Sequence, residues 1–261
     1  MPELLYSFIF VNYRSADLLE KALASLVGPL SGLSYEFILV NNDVSESARI
    51  EVLGKRYGAV MKLLPANYGF GKAANLGAAE AKGEVLFFLN PDAEFQKGNL
   101  LSLWGALEFF PKGIFGMLLK TASGRDEPWS SGDLPTLWRL FSGKFFRSKP
   151  MGTRVMRAGW VSGAALALRK EVFLSLGGFD ESFFLYYEDV DLCARAEKNS
   201  FPVFSYPFLV FRHAGGESHV SHKSMKRAYF ESQKKYFSKH GTQTEKTILS
   251  FLQPLYQKFF S

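Results

Sequence analysis

One cysteine, Cys193, stands in 261 residues, which excludes an intrachain disulfide and a cysteine-rich zinc site. A lone thiol fits a reducing compartment. No window reaches the roughly 18 apolar residues that a spanning helix needs. No basic N-terminal segment runs into an apolar stretch with a small-residue cleavage site. A cytoplasmic chain is therefore expected, or one lying peripherally on the inner face of the cytoplasmic membrane. Internal repeats and low-complexity tracts are lacking too. Acidic residues are missing from one stretch: 139–157 holds Arg139, Lys144, Arg147, Lys149, Arg154 and Arg157 with no Asp or Glu. Interleaved with Trp and Phe, this run suits an anionic partner such as a nucleoside diphosphate or lipid headgroups. Nucleic acid is not expected, because no helix-turn-helix or RNP-type signature accompanies the charge.

What is present is ordinary globular material: 47% hydrophobic and 21% charged residues, with 26 Phe. That is enough for one α/β domain carrying a C-terminal appendage. Ser7–Val11 reads as a buried strand ending at Asn12. A helix capped by Ser15 or Asp17 follows, with Leu18, Leu19, Ala22, Leu23 and Leu26 at helical spacing. Tyr35–Val40 is a second strand, ending in Asn41-Asn42-Asp43. A helix over 46–57, a short strand at Val60–Leu64 and a helix over 70–82 come next. Val85–Leu89 is a third long strand, ending in Asn90-Pro91-Asp92. Strand and helix alternating in this way imply a mostly parallel sheet with right-handed crossovers. Ligands bind beyond the carboxyl ends of such strands. Asn, Asp and Pro also start turns, but three polar clusters at equivalent strand ends suggest one site.

The second half is less regular. Residues 121–158 read as a long loop region. Trp160–Leu168 reads as a strand, Lys170–Leu176 as a helix and Gly177-Gly178-Phe179-Asp180 as a turn. A helix begins near Glu188, and Pro202–Phe211 is extended, running on to His213. From about 223 the pattern is helical, basic and aromatic.

Four segments resemble glycosyltransferase family 2, in its rhamnosyltransferase-like branch. Phe10-Val11-Asn12-Tyr13-Arg14-Ser15 resembles that branch's opening V-N-Y-N-S. Asn67-Tyr68-Gly69-Phe70-Gly71, with Asn75 and Gly77, resembles N-x-G-F-x-x-G-x-N-x-G. Phe88-Leu89-Asn90-Pro91-Asp92 resembles L-L-N-P-D, its version of the D-x-D metal motif. Gly177 to Phe184, running into Glu188-Asp189-Val190-Asp191-Leu192-Cys193-Ala194-Arg195, resembles G-G-F-D-E-x-F-F-x-Y-x-E-D-x-D-L-x-x-R. The resemblance spans about 7–240. It implies the GT-A fold, with a transferase domain over 1–222 and a helical extension over 223–261. The nucleotide-binding half would be about 1–95, and the acceptor half about 96–222. One departure stands out: Asn41 occupies the place of the Asp in V-D-N that accepts the N3–H of uracil or thymine. Its carbonyl still accepts such a bond but lacks charge, and Asp43 lies two residues on.

The resemblance implies an inverting transfer from a nucleotide-diphosphate sugar, dTDP-L-rhamnose or a UDP-hexose, to a glycan or lipid-linked acceptor in bacterial surface polysaccharide synthesis. Asp189 would be the base, although an acidic cluster at a helix start also complements the helix dipole. Asp92 and His213 would hold Mg²⁺ or Mn²⁺, with Asn90 in place of a first Asp. Asn12, Asn41, Asn42, Asn67, Gly71, Asn90 and Asp92 would form the nucleotide side. Trp160, Ser162, Gly163 and Glu188 would line the sugar and acceptor pocket. The glycines equally serve a tight turn, and His213 equally serves structure. Phe183, Phe184 and Tyr186 either shape the sugar pocket or fill core. The C-terminal aromatics either lie on a membrane, cover the core or join two subunits. A catalytically silent module binding nucleotide sugars or partners is the alternative. A nucleotidyltransferase is disfavoured, since Ser7–Ala22 carries no Gly-rich basic loop.

Overall fold

The computed structural model describes residues 5–141, 153–213 and 222–260. The basic residues Lys144, Arg147 and Lys149, the Gly215-Gly216-Glu217-Ser218 segment with His219, and the side chains of His222 and residues 252–260 lie outside what is described. The chain order is β1 (Tyr6–Asn12), α1 (Ala16–Val27), β2 (Tyr35–Asn41), a 3₁₀ turn (Val44–Glu46), α2 (Ser47–Tyr57), β3 (Val60–Leu63), α3 (Phe70–Glu80), β4 (Val85–Leu89), β5 (Ala93–Lys97), α4 (Leu100–Phe109) and β6 (Ile114–Lys120). Then come β7 (Ser131–Gly132), α5 (Leu137–Phe141), β8 (Met156–Arg157), β9 (Trp160–Val161), β10 (Ala165–Arg169), α6 (Lys170–Ser175), α7 (Glu188–Lys198), β11 (Val203–His213), α8 (His222–His240) and α9 (Gln243–Phe260).

Among the described residues the main sheet has nine strands, in the order β3-β2-β1-β4-β10-β6-β11-β5, with β8 on β11. Six of the nine, β1 to β4, β6 and β11, run one way, and β10, β5 and β8 run the other. Side chains alternate across this sheet. Phe8, Phe10, Phe37 and Phe87 face α1, α2 and α4. Ile9, Val11, Ile38 and Phe88 face α3, α6 and α7. Both faces are covered, so the central strands are apolar throughout rather than alternating with polar residues.

Three expectations change. Trp160–Leu168 is not one strand: β9 pairs with β7 in a separate two-stranded sheet, and β10 pairs with β4 and β6. An apolar run cannot show which neighbour takes each half, and the break falls at Ser162-Gly163-Ala164. The supposed long loop over 121–158 contains β7, α5 and β8. Ser15 rather than Asp17 takes the N-cap position of α1, but its hydroxyl donates to Asn12 Oδ1 at 3.0 Å instead of capping, and the Glu46 carboxylate takes the Ser15 N–H at 3.0 Å and the Ala16 N–H at 3.4 Å. A cap supplied from 30 residues downstream leaves no local signature.

α3 lies close on the sheet because its residues are small. A Cβ at Gly77 would sit 2.7 Å from Ile9 Cγ2 and 2.8 Å from Val40 Cγ2. Gly77→Val is therefore expected to lower stability by roughly 1–3 kcal/mol through overpacking, measured as a shifted urea midpoint with unchanged m-value.

Candidate active site

The turn between β9 and β10 is the junction of the site. Gly163 N–H donates to Asp189 Oδ2 at 2.8 Å, and Ala164 C=O accepts the Asn90 N–H at 2.9 Å. Gly163 packs closely on Asp189: a Cβ there would be 3.4 Å from Asp189 Cβ. Gly71, at the start of α3, would place a Cβ 3.6 Å from Glu188 Cβ. Asp189, Glu188, Gly163, Gly71 and Asn90 are thus brought together from four elements.

Asp189 is the second residue of α7, and its Oδ1 accepts the Val190 N–H at 2.7 Å. Burial pushes its pKa up, and the amides of Gly163 and Val190 offset this only in part. Glu188 is buried, and its Oε2 has no hydrogen-bond partner among the described residues. Burial, then the Asp189 charge, raises the Glu188 pKa well above the ordinary glutamate range. Asp191 faces away, fully buried against Arg195 at 2.8 Å, Lys239 at 2.8 Å and His240 at 2.7 Å. Burial opposes its charge, but these partners win and its pKa is lowered. The three acids therefore divide between a site facing Gly163 and a structural ion cluster.

The approach to α7 is strained. Tyr186 and Tyr187 both have φ 68°, a left-handed conformation that bulky residues rarely adopt. α8 holds it in place: Ser232 Oγ donates to Leu185 C=O at 2.8 Å, and Gln233 Nε2 donates to the Tyr187 hydroxyl at 3.1 Å. Lys239 also pairs with Asp180 at 2.6 Å. Phe183 is core and Phe184 is about half exposed, so of these two only Phe184 can meet a ligand.

The second cluster comes from strand pairing. His213, the last residue of β11, lies opposite Ala93 of β5, and Asp92 immediately precedes Ala93. His213 Nε2 is 3.2 Å from Asp92 Oδ1 and 3.2 Å from Asn90 Nδ2. Its Nδ1 is 2.8 Å from Glu127 Oε2. Burial disfavours a charged ring, but Asp92 and Glu127 outweigh it and raise the pKa to about 10. An oxygen and an imidazole nitrogen facing each other suit a divalent cation. No group of three or more His, Cys, Asp or Glu is arranged for a metal among the described residues. A bound diphosphate would add oxygens to this pair.

The strand-end asparagines are mostly spent on the protein itself. Asn12 Nδ2 donates to Asn41 Oδ1 at 2.9 Å and to Glu46 Oε2 at 2.8 Å. Asn41 Nδ2 donates to Asp43 C=O and Ser47 Oγ. Asn42 donates to Asn67 Oδ1 and Gly69 C=O and accepts the Tyr68 N–H. Asn12, Asn41 and Asn42 are buried and shape the loops, whereas Asn67 is exposed, with its Oδ1 accepting from Asn42 Nδ2 and the Gly69 N–H. Asp43 is drawn to Arg14 at 3.3 Å. Lys72 pairs with Glu181 at 3.5 Å. Trp160 is buried in the small sheet, and Ser162 is half-buried beside Gly163.

The family model for glycosyl transferase family 2 matches residues 7–175. The chain belongs to this family. The match ends before Asp189 and His213, which lie in the part of the fold built by α7 and β11. An N-acetylglucosaminyl-diphospho-decaprenol L-rhamnosyltransferase of Mycobacterium tuberculosis is 31% identical over 217 residues, covering 73% of this chain and 69% of the relative. Rhamnosyltransferase WbbL of Escherichia coli is 24% identical, covering 72% of this chain and 75% of the relative. Among solved structures, GalNAc-T7 with UDP, GalNAc and Mn²⁺ superposes at TM-score 0.67 with 15% identity. It covers 91% of this chain, which spans about half (48%) of that longer protein. S. aureus TarS in complex with UDP superposes at TM-score 0.55 with 15% identity, covering 90% of this chain and 72% of that one. The fold is GT-A, and this family 2 enzyme is a glycosyltransferase.

Glu127, Glu46 and the α8 residues Ser232 and Gln233 carry no local motif, and the sequence reading passes over them. Asp191→Asn is expected to cost roughly 3–5 kcal/mol at neutral pH, since it leaves Arg195, Lys239 and His240 without their shared anion. The folded pKa of Asp191 is depressed, so its contribution is present above the unfolded value near 3.8 and is lost as pH falls through the folded one. The difference in urea stability between the two proteins should therefore start to shrink below about pH 4 and close only below the lowered folded pKa of Asp191.

Proposed function

We propose that this glycosyltransferase inverts the anomeric centre of a nucleotide-diphosphate sugar, with Asp189 as base. The observation that carries this is the Ser162-Gly163-Ala164 turn. It bonds the Asp189 carboxylate on one side and the Asn90-Pro91-Asp92 turn on the other. An acceptor hydroxyl poised near Asp189 attacks the anomeric carbon, and its proton passes to the carboxylate. The bond from the anomeric carbon to the phosphate oxygen breaks, and the nucleoside diphosphate leaves with the electron pair. Asp92 and His213 would hold Mg²⁺ or Mn²⁺, which offsets charge on the departing diphosphate. Asn67 and the start of α3 at Gly71 would meet the nucleotide and its phosphates. Ser162, Gly163 and Glu188 would border the sugar and acceptor, with Trp160 supporting the turn from beneath.

The raised Asp189 pKa suits a base that must accept a proton near neutrality. Rhamnose is the leading sugar, as the names of the Mycobacterium and Escherichia relatives suggest, with dTDP as its leading carrier and UDP-hexoses next. A lipid-linked glycan is the leading acceptor, because the Mycobacterium relative is named for a diphospho-decaprenol substrate. Peripheral contact with an anionic membrane would serve such an acceptor. Trp138 on α5 and Phe251 on α9 are 74% and 75% exposed, and the Leu137 N–H bonds Glu245 at 3.1 Å, joining the two helices. Among the described residues no helix is long and apolar enough to cross a membrane.

Thermal-shift screening of UDP-, dTDP- and GDP-sugars with and without Mn²⁺ should identify the donor. On that donor, Asp189→Asn should lower kcat by about 10²- to 10⁴-fold. Unchanged turnover would instead indicate a silent binding module. The acid limb of the kcat profile should lie above the ordinary aspartate value of 3.8, since the rate grows as Asp189 loses its proton. For the membrane reading, sedimentation with phosphatidylglycerol vesicles should exceed that with phosphatidylcholine alone. It should fall when Trp138 and Phe251 are both replaced by Ser, and equal sedimentation of the two proteins would refute that face.

A further inference from the structure

We propose that Glu127 is a positioning residue for His213, orienting its ring so that Nε2 points at Asp92 and the cation position. This rests on the reading that Asp92 and His213 hold the cation. Glu127 Oε2 lies 2.8 Å from His213 Nδ1, and the two side chains are 14% and 11% exposed. A carboxylate only accepts, so the Nδ1 edge must donate to it. When a cation takes Nε2, the proton left on the ring sits at Nδ1, between the ring and Glu127. The Asn90 amide 3.2 Å from Nε2 marks the opposite edge of the same ring. Rotation of the imidazole would break both contacts.

Glu127 is itself held at both ends of its backbone. Its N–H donates to Leu119 C=O at 2.9 Å, at the end of β6 beside β11. Its C=O accepts from Ser130 N–H at 3.3 Å and from Ser130 Oγ at 2.5 Å. Ser130 C=O in turn accepts the Ser162 N–H at 2.9 Å. One short segment therefore orients His213 and also supports the turn that carries Gly163 to Asp189. Glu127 touches neither donor nor acceptor in this arrangement and acts through the histidine. A carboxylate behind a metal-binding imidazole fixes its tautomer and raises its basicity. Losing such a partner typically weakens metal binding 10- to 100-fold.

The test is Mn²⁺ affinity of the whole chain, read from the free-Mn²⁺ EPR signal in the presence of UDP or dTDP. Glu127→Ala should weaken binding by about 10- to 100-fold. Glu127→Gln, which keeps an acceptor oxygen, should weaken it less, and it carries the test if the alanine variant does not fold. Asp126→Asn removes a neighbouring charge that pairs with Lys120 at 2.6 Å instead, and it should leave affinity unchanged. The metal-free melting temperature of Glu127→Gln should stay near that of the unaltered protein, which separates positioning from folding. Unchanged Mn²⁺ affinity in the Glu127 variants, alongside weakened binding in Asp92→Asn and His213→Ala, would overturn the proposal alone. Unchanged affinity in Asp92→Asn and His213→Ala would overturn the cation reading, and this proposal with it.

Discussion

The turn Ser162-Gly163-Ala164 bonds in two directions, and the site depends on it. Its Gly163 amide holds the Asp189 carboxylate, and its Ala164 carbonyl holds the Asn90 amide. Those two bonds join the start of α7 to the carboxyl end of β4. A Cβ at 163 would lie 3.4 Å from Asp189 Cβ, in ordinary van der Waals contact, so the turn and the start of α7 are closely packed. The change of sheet between β9 and β10 falls at this turn.

Around that junction the protein keeps carboxylates where water is scarce. Glu188 and Asp189 are adjacent and surrounded by protein, so each proton affinity is raised by burial. Asp191, two residues on, is fully buried, but its charge is offset by three basic partners. A helix turns by about 100° per residue, which sends neighbouring acids into these different surroundings. α8 supplies Lys239 and His240 to that cluster, and Ser232 and Gln233 to the strained Tyr186-Tyr187 entry. α8 is thus tied to the geometry of α7, although the family-model match stops at residue 175.

The strand-end asparagines are tied into the loops that follow their strands. The polar clusters at Asn12, Asn41 and Asn42 do gather at one end of the parallel strands. Their side-chain amides donate to Glu46, Asp43, Ser47, Asn67 and Gly69, which braces the loops. A buried amide must satisfy its hydrogen bonds within the protein, and burial is not visible in a residue's identity.

Sequence alone determined the alternation of strand and helix, the parallel first half of the sheet and the motif around Asp189. These features are local: hydrophobic period and turn residues act within a few positions. The His213 position also stood out, 24 residues after Asp189. Only the tertiary structure decided what each group meets. β5 antiparallel to β11 brings Asp92 to His213 across 121 positions, and the Lys120–Ser131 connection brings Glu127 behind the ring. Such contacts follow from strand order and register in the assembled sheet, and no pattern of neighbouring residues records them.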